Sequence, residues 1–169
     1  MTEHKPYLRE QAMRLQPIGS VTVNLKPPVM VGAGPYGVRV FIEVSDGVLE
    51  SDTNATGFPS ITGKVLPGGG DWALFGADGW CRLDVRTLFE TSDGATIYAQ
   101  FPGVVELTDD VQMALADGRG TEFTDHYFRV TPRLETGDPK HRWVNQTVFV
   151  GQGRFIDGFG LNYRMFLVD

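Results

Sequence analysis

The sequence is short of the residues that build covalent or metal-held structure. A single cysteine, Cys81, in 169 residues excludes an internal disulfide and a cysteine-built zinc cluster. It stands between Trp80 and Arg82 in an alternating run, the setting of a small buried hydrophobe rather than a reactive thiol. The three histidines, His4, His126 and His141, form neither an His-x-His pair nor a two-histidine helical spacing, so neither a metal nor any other cofactor is expected. Of the three, His126 has the best context for acid/base work, and His141 reads as a surface residue beside a helix cap.

Cationic runs are missing too. With a formal net charge of −6, nucleic acid and anionic lipid are poor partners, because phosphate recognition rests on neutralising cations. No apolar run approaches the ~20 residues that cross a bilayer. Met1 to Arg9 lack the apolar segment and small-residue cleavage site of a secretory signal. A cytoplasmic protein with a small-molecule partner, and no nucleic acid or membrane partner, is expected. Reaction-defining motifs are absent as well. Gly68-Gly69-Gly70 lacks the Lys-Ser/Thr of a phosphate loop and enters a strand pattern, and Gly32-Ala33-Gly34-Pro35-Tyr36-Gly37 is followed by β-rich residues where a dinucleotide site opens a helix. No Gly-x-Ser-x-Gly elbow occurs.

What the chain has is turns and alternation. Its 21 glycines and 10 prolines are spread between apolar runs rather than gathered in a low-complexity block, and those runs read as strands at Pro17 to Leu25, Val38 to Val44, Ser60 to Leu66, Asp71 to Phe75, Trp80 to Glu90, Thr96 to Pro102, His126 to Leu134, Gln146 to Gly151 and Leu161 to Val168. Hairpins at 76–79 and 92–94 make the meander antiparallel. Pro27 to Gly37 and Gly47 to Pro59 read as loops. Thr108 before Asp109 and Asp110, with Gly118 beyond, marks a short helix, and Asp138-Pro139 starts a second. The expected fold is an all-β antiparallel up-and-down barrel with one or two short helices, one domain over residues 17–169 behind an extension at 1–16.

Two strand faces carry the candidate chemistry. If residues 76–79 are a four-residue loop, Asp71 faces Asp84 across the strand pair, and paired carboxylates raise one another's pKa towards neutrality. Arg82 and Arg86 flank them, and Trp72 adds an apolar wall. The competing reading places Cys81, Leu83, Val85, Thr87 and Phe89 in the core and leaves Arg82, Asp84 and Arg86 in water. A second run puts Tyr127, Arg129, Thr131, Arg133 and Glu135 on one face, able to hold a carboxylate, enolate or phenolate, or else forming a salt-bridge ladder.

The run Gly63-x-Val65-Leu66-Pro67-Gly68-Gly69-x-Asp71-Trp72 recurs in a known family. So do Leu83-Asp84-Val85-Arg86 with Asp93-Gly94 and Ile97-Tyr98, Tyr127-Phe128-Arg129 with Thr131 to Asp138, and Trp143-x-Asn145-x-Thr147-Val148-Phe149-Val150-Gly151. In these residues the chain resembles the family named domain of unknown function three-two-three-seven, small bacterial and fungal barrel proteins. Residues 103–125 and the extension before Pro17 depart from its pattern. The resemblance implies a calycin-like or allene-oxide-cyclase-like barrel and self-association as a homodimer or higher oligomer, and it supplies no established reaction.

Together these readings point to a cofactor-independent lyase, isomerase or hydratase acting on a small, partly apolar carbonyl or phenolic compound, or alternatively to a non-catalytic carrier. Asp71, Asp84, Tyr98 and Arg86 are the candidate catalytic residues. Trp72, Arg82, Tyr127, Arg129, Arg133 and His126 are the candidate substrate contacts.

Overall fold

The computed structural model describes residues 12–55 and 57–169. The extension expected at 1–16 lies largely outside the described residues, as does His4. Strands β1 (Leu15–Leu25), β2 (Val29–Gly34), β3 (Gly37–Ser51), β4 (Gly63–Val65), β5 (Gly70–Phe75), β6 (Trp80–Thr91) and β7 (Thr96–Glu106) lead into helix α1 (Asp109–Asp117). Strands β8 (Phe128–Val130), β9 (Arg133–Glu135), β10 (Phe149–Ile156) and β11 (Gly160–Val168) follow. All pairings are antiparallel, and the sheet closes in chain order, with β4 and β5 sharing the place between β3 and β6 and β8 and β9 sharing the place beside β7. Counted that way the barrel has eight strands. The first strand meets the last from Leu15 opposite Val168 to Asn24 opposite Gly160.

Period-two alternation decides which residues are inside. On β6 the inner stripe is Cys81, Leu83, Val85, Thr87 and Phe89. On β11 it is Leu161, Tyr163, Met165 and Leu167, and Ile97, Ala99 and Phe101 supply it from β7. Pro132 has no amide hydrogen to give the ladder and separates β8 from β9.

The two ends of the barrel differ. At one, α1 lies across the rim. The Thr108 hydroxyl accepts from the Val111 amide at 3.2 Å, Gly118 ends the helix in the left-handed conformation, and Val111 and Ala114 are buried. At the other, a 3-10 turn, Arg142–Gln146, pushes Val144 into the core. This end is tied by polar groups. Thr136 and Asn145 exchange two bonds of 2.8 and 2.9 Å, and fully buried His141 meets Asp93 at 3.0 Å. Lys140 also pairs with Asp93, and the Thr91 hydroxyl donates to it at 2.6 Å.

Four expectations need correcting. The segment Pro27 to Gly37 forms β2, hairpinned onto β3, and β3 runs on through Gly47 to Ser51. The second helix is only the 3-10 turn. His141 is buried, because its imidazole is the partner that holds Asp93 at the closed end. The loop between β5 and β6 is one residue shorter than supposed: the Gly76 amide donates to the Trp80 carbonyl at 2.8 Å, and Gly79 takes φ 79°.

The glycine triplet has a packing reason. A Cβ on Gly69 would stand 2.5 Å from the Arg86 carbonyl oxygen and 2.7 Å from Thr87 Cβ, so only a residue without one lets β6 pass this close. Gly69→Ala is expected to destabilise the fold by about 1–3 kcal/mol through forced displacement of β6. Urea denaturation measures this, and an unchanged midpoint would refute the close-approach account.

Candidate functional site

The barrel interior is not filled. A cavity of about 550 Å³ runs from the α1 rim inward. Leu25, Met30, Leu107, Leu115 and Phe159 surround its mouth, and Val85, Phe89, Phe101 and Tyr163 line it further in. Its wall is almost wholly hydrocarbon. The polar exceptions are Asp71, Cys81, Thr87, Tyr163 and, at the rim, Arg119, whose guanidinium is taken by Asp117 at 3.2 Å.

Asp71 comes inward because of the β5 and β6 register. With the shorter loop, Leu74 lies opposite Arg82 and Asp71 opposite Val85. A one-residue slip exchanges the faces of a strand, so Asp71 and Asp84 do not confront each other across the pair. Asp71 is 5% exposed, and its Oδ1 accepts the backbone amide of Asp84 at 2.9 Å. Burial pushes the Asp71 carboxyl from 3.8 up to about 6. The amide bond opposes this rise, the nearby Asp84 charge adds to it, and Arg39 pulls it back. The Cys81 thiol is pushed up to about 12, chiefly by burial and next by the Asp71 charge, and so remains a protonated wall residue.

Of the ten candidate catalytic and substrate-contact residues, Asp71 is the one that reaches the cavity. His126 stands behind the wall, 7% exposed and stacked on Phe155 at 5.6 Å between ring centroids. Burial lowers its pKa, and neither ring nitrogen has a hydrogen-bond partner among the described residues.

The other eight lie on the outer surface. Arg82 pairs with Asp78 at 2.5 Å and Arg86 with Asp84 at 3.0 Å. Trp72 is 41% exposed, packed on Phe41 and facing the Arg86 guanidinium at 5.6 Å. Tyr98 lies opposite Leu88 and Glu135, on the outward alternation of β7. The Arg129 guanidinium covers the Tyr127 ring at 4.8 Å, and Arg133 approaches Glu135 at 3.8 Å. The charged stripe of β6 is therefore the solvent face.

Two polar cavity residues are not among the candidate site residues: Tyr163, and Thr87, which the sequence places only in the core stripe of β6. Tyr163 and Thr87 each sit in an otherwise apolar inward stripe. The signal available was a hydroxyl interrupting such a stripe. Among the described residues no group of three or more His, Cys, Asp or Glu is placed to hold a metal ion. Nor is any helix there long and apolar enough to cross a membrane.

The raised Asp71 carboxyl has a thermodynamic signature. Between its unfolded value of 3.8 and its folded value of about 6, the native state keeps a proton that the unfolded state has released, so stability falls as pH rises through that window. The penalty is complete above about pH 6 and on the order of 3 kcal/mol. Asp71→Asn, which preserves an acceptor for the Asp84 amide, is therefore expected to stabilise the protein above pH 6 and to have little effect below pH 3.8. Chemical denaturation across pH checks this; equal stabilisation at both extremes would contradict it.

Comparison with known proteins gives a family and a fold. A UPF0311 protein of Clostridium acetobutylicum is 30% identical over 139 residues, 82% of this chain and 84% of its own length. The crystal structure of a conserved Rhodopseudomonas palustris protein of unknown function superposes with a TM-score of 0.83 at 25% identity, over 94% of this chain and 99% of that one. A crystal structure described as an enzyme from Penicillium herquei shares the fold at a TM-score of 0.64 and 18% identity, over 95% of this chain and 98% of its own. With residues 13–168 matching its model, the chain belongs to the family described as protein of unknown function (DUF3237).

Proposed function

We propose that this barrel is a cofactor-independent enzyme that moves a proton on a small, partly apolar carbonyl or phenolic compound, by lyase, isomerase or hydratase chemistry. The observation that carries the reading is the Asp71 carboxyl, 5% exposed and raised to about 6, on the wall of an apolar cavity of about 550 Å³. A cavity of this size suits a drug-sized molecule. A carboxyl poised near neutrality can both take and return a proton, and general acid–base catalysis of this kind contributes about 10²–10⁴-fold. The apolar wall of the cavity strengthens every charge interaction made inside it. The Penicillium herquei barrel indicates that this fold can host an enzyme, which is support at the level of fold.

Only Asp71 of the four candidate catalytic residues enters this mechanism. Asp84 takes part through its backbone amide, which fixes Oδ1 of Asp71. The apolar lining favours a second reading, a carrier that shelters a hydrophobic ligand without altering it.

The two readings part in heavy water. For an enzyme, incubation with a panel of cyclic ketones and enones is expected to speed deuterium entry at the carbon beside the carbonyl. The rate should rise with pH through about 6, as Asp71 becomes the base, and then level. Asp71→Asn should lower it about 10²–10⁴-fold while the same ketone still binds. Binding without exchange by the wild type would favour the carrier, and undiminished exchange by the variant would remove Asp71 from the mechanism.

A further inference from the structure

The rim of the cavity holds one residue whose conformation the fold disfavours. Phe159 takes φ 64°, and among the described residues it is the one residue other than glycine with a positive φ. Left-handed backbone crowds any side chain with a Cβ and is a true outlier for a bulky one; where a turn needs it, glycine, asparagine or aspartate normally supplies it. The residues on either side are glycines with reasons of their own. Gly158 takes φ 79°, and a Cβ on Gly160 would stand 2.6 Å from the Ile156 side chain and 2.7 Å from the Val23 carbonyl oxygen.

The strained backbone is pinned from three directions. The Leu25 amide donates to the Phe159 carbonyl at 2.9 Å, the Gly158 amide donates to the Gly118 carbonyl at 3.1 Å, and the Gly120 amide donates to Asp157 Oδ1 at 2.7 Å. The tip that joins β10 to β11 is thus bound both to the end of β1 and to the end of α1, and these ties over-determine its conformation. Phe159 is nevertheless 52% exposed, although it borders the mouth with Leu25, Met30, Leu107 and Leu115. A ring left half in water gains little from burial, so neither conformation nor packing accounts for phenylalanine at this position. Its place accounts for it: a molecule entering the hydrocarbon cavity passes this rim.

We infer that Phe159 is a ligand-contact residue of the cavity, whose ring closes over the outer end of a bound molecule and favours one that presents an apolar ring there. The inference rests on the reading of the cavity as the ligand site and deepens it by naming what the ligand shows at the mouth. On a pinned backbone the phenyl ring moves by rotation of its own side chain, so it can swing aside for entry and return without disturbing the strands. A ring on the ligand would meet it in an offset or edge-on contact and cover area that is now in water. A charged group there would lose hydration against Met30, Leu107 and Leu115, and Arg119, the cation at the rim, is already taken by Asp117.

Two neutral probes test this without knowledge of the natural ligand: propionyl-dimethylaminonaphthalene, an aromatic fluorophore whose emission reports water, and cyclododecanone, which has no aromatic ring. Their binding is measured by fluorescence and calorimetry against the wild type, Phe159→Leu and Phe159→Gly. Phe159→Gly is expected to weaken both probes about tenfold, mostly through faster dissociation, and to shift the bound fluorophore's emission to longer wavelength as water reaches it. Phe159→Leu, which keeps apolar cover but no ring, should weaken the fluorophore about threefold and leave cyclododecanone unchanged. The urea midpoint of Phe159→Gly should rise, because glycine adopts φ 64° freely.

The inference is overturned if Phe159→Gly binds both probes as the wild type does, if Phe159→Leu weakens the two probes alike, or if Phe159→Gly lowers the urea midpoint, which would make the ring a structural prop. A wild type that binds neither probe overturns it together with the reading of the cavity as a ligand site. Asp71→Asn separates it from proton transfer, since that variant should bind both probes and show the same dependence on Phe159. Loss of exchange with that dependence retained marks Asp71 alone, and normal exchange without the dependence sinks only the role of Phe159.

Discussion

Everything inside this molecule depends on the pairing of its first described strand with its last. The ladder from Leu15 opposite Val168 to Asn24 opposite Gly160 converts a meander with two open edges into a closed wall. Closure brings together residues separated by nearly the whole described chain, a costly contact in entropy that the burial of Val21, Val23, Leu161, Tyr163 and Met165 must offset. Only once the wall is shut does Asp71 lose its water, so the carboxyl's raised pKa is a property of the barrel rather than of its own strand.

The two ends divide the labour. The closed end is polar and tightly tied: His141, Lys140 and Thr91 converge on Asp93 there, and the Thr136–Asn145 pair locks the approach to the 3-10 turn. The open end is apolar and roofed by a single helix of nine residues. The motifs by which the chain resembles its family fall largely on the closed end and on the Gly69 crossing, so they specify the container. Asp71 is the charged motif residue that reaches the contents, beside the apolar Leu83, Val85 and Phe128.

The sequence displayed the container better than the contents. Alternation on Trp80 to Glu90 showed the inward stripe correctly, because a pleated strand allows only two faces. Thr108 and Gly118 marked α1 because the helix ends need a side-chain acceptor and a left-handed residue. The pairing of Asp71 with Asp84 failed on one turn residue: a glycine-rich loop of three and a loop of four look alike in sequence, yet they put Asp84 on opposite sides of the sheet. Tyr163 passed unnoticed for a different reason. A tyrosine in an apolar stripe differs from plain core only in whether its hydroxyl finds a partner, and partners are a property of the assembled interior.

The hydrocarbon wall between the α1 rim and Asp71 has a consequence for selectivity that does not depend on shape. A solute must surrender its hydration shell before it reaches the carboxyl, so the barrel behaves as an oil phase with one titratable group dissolved in it. Across a series of solutes, occupancy is then governed first by partition from water into alkane and only second by fit, a gate on solubility built from side chains that make no hydrogen bonds at all.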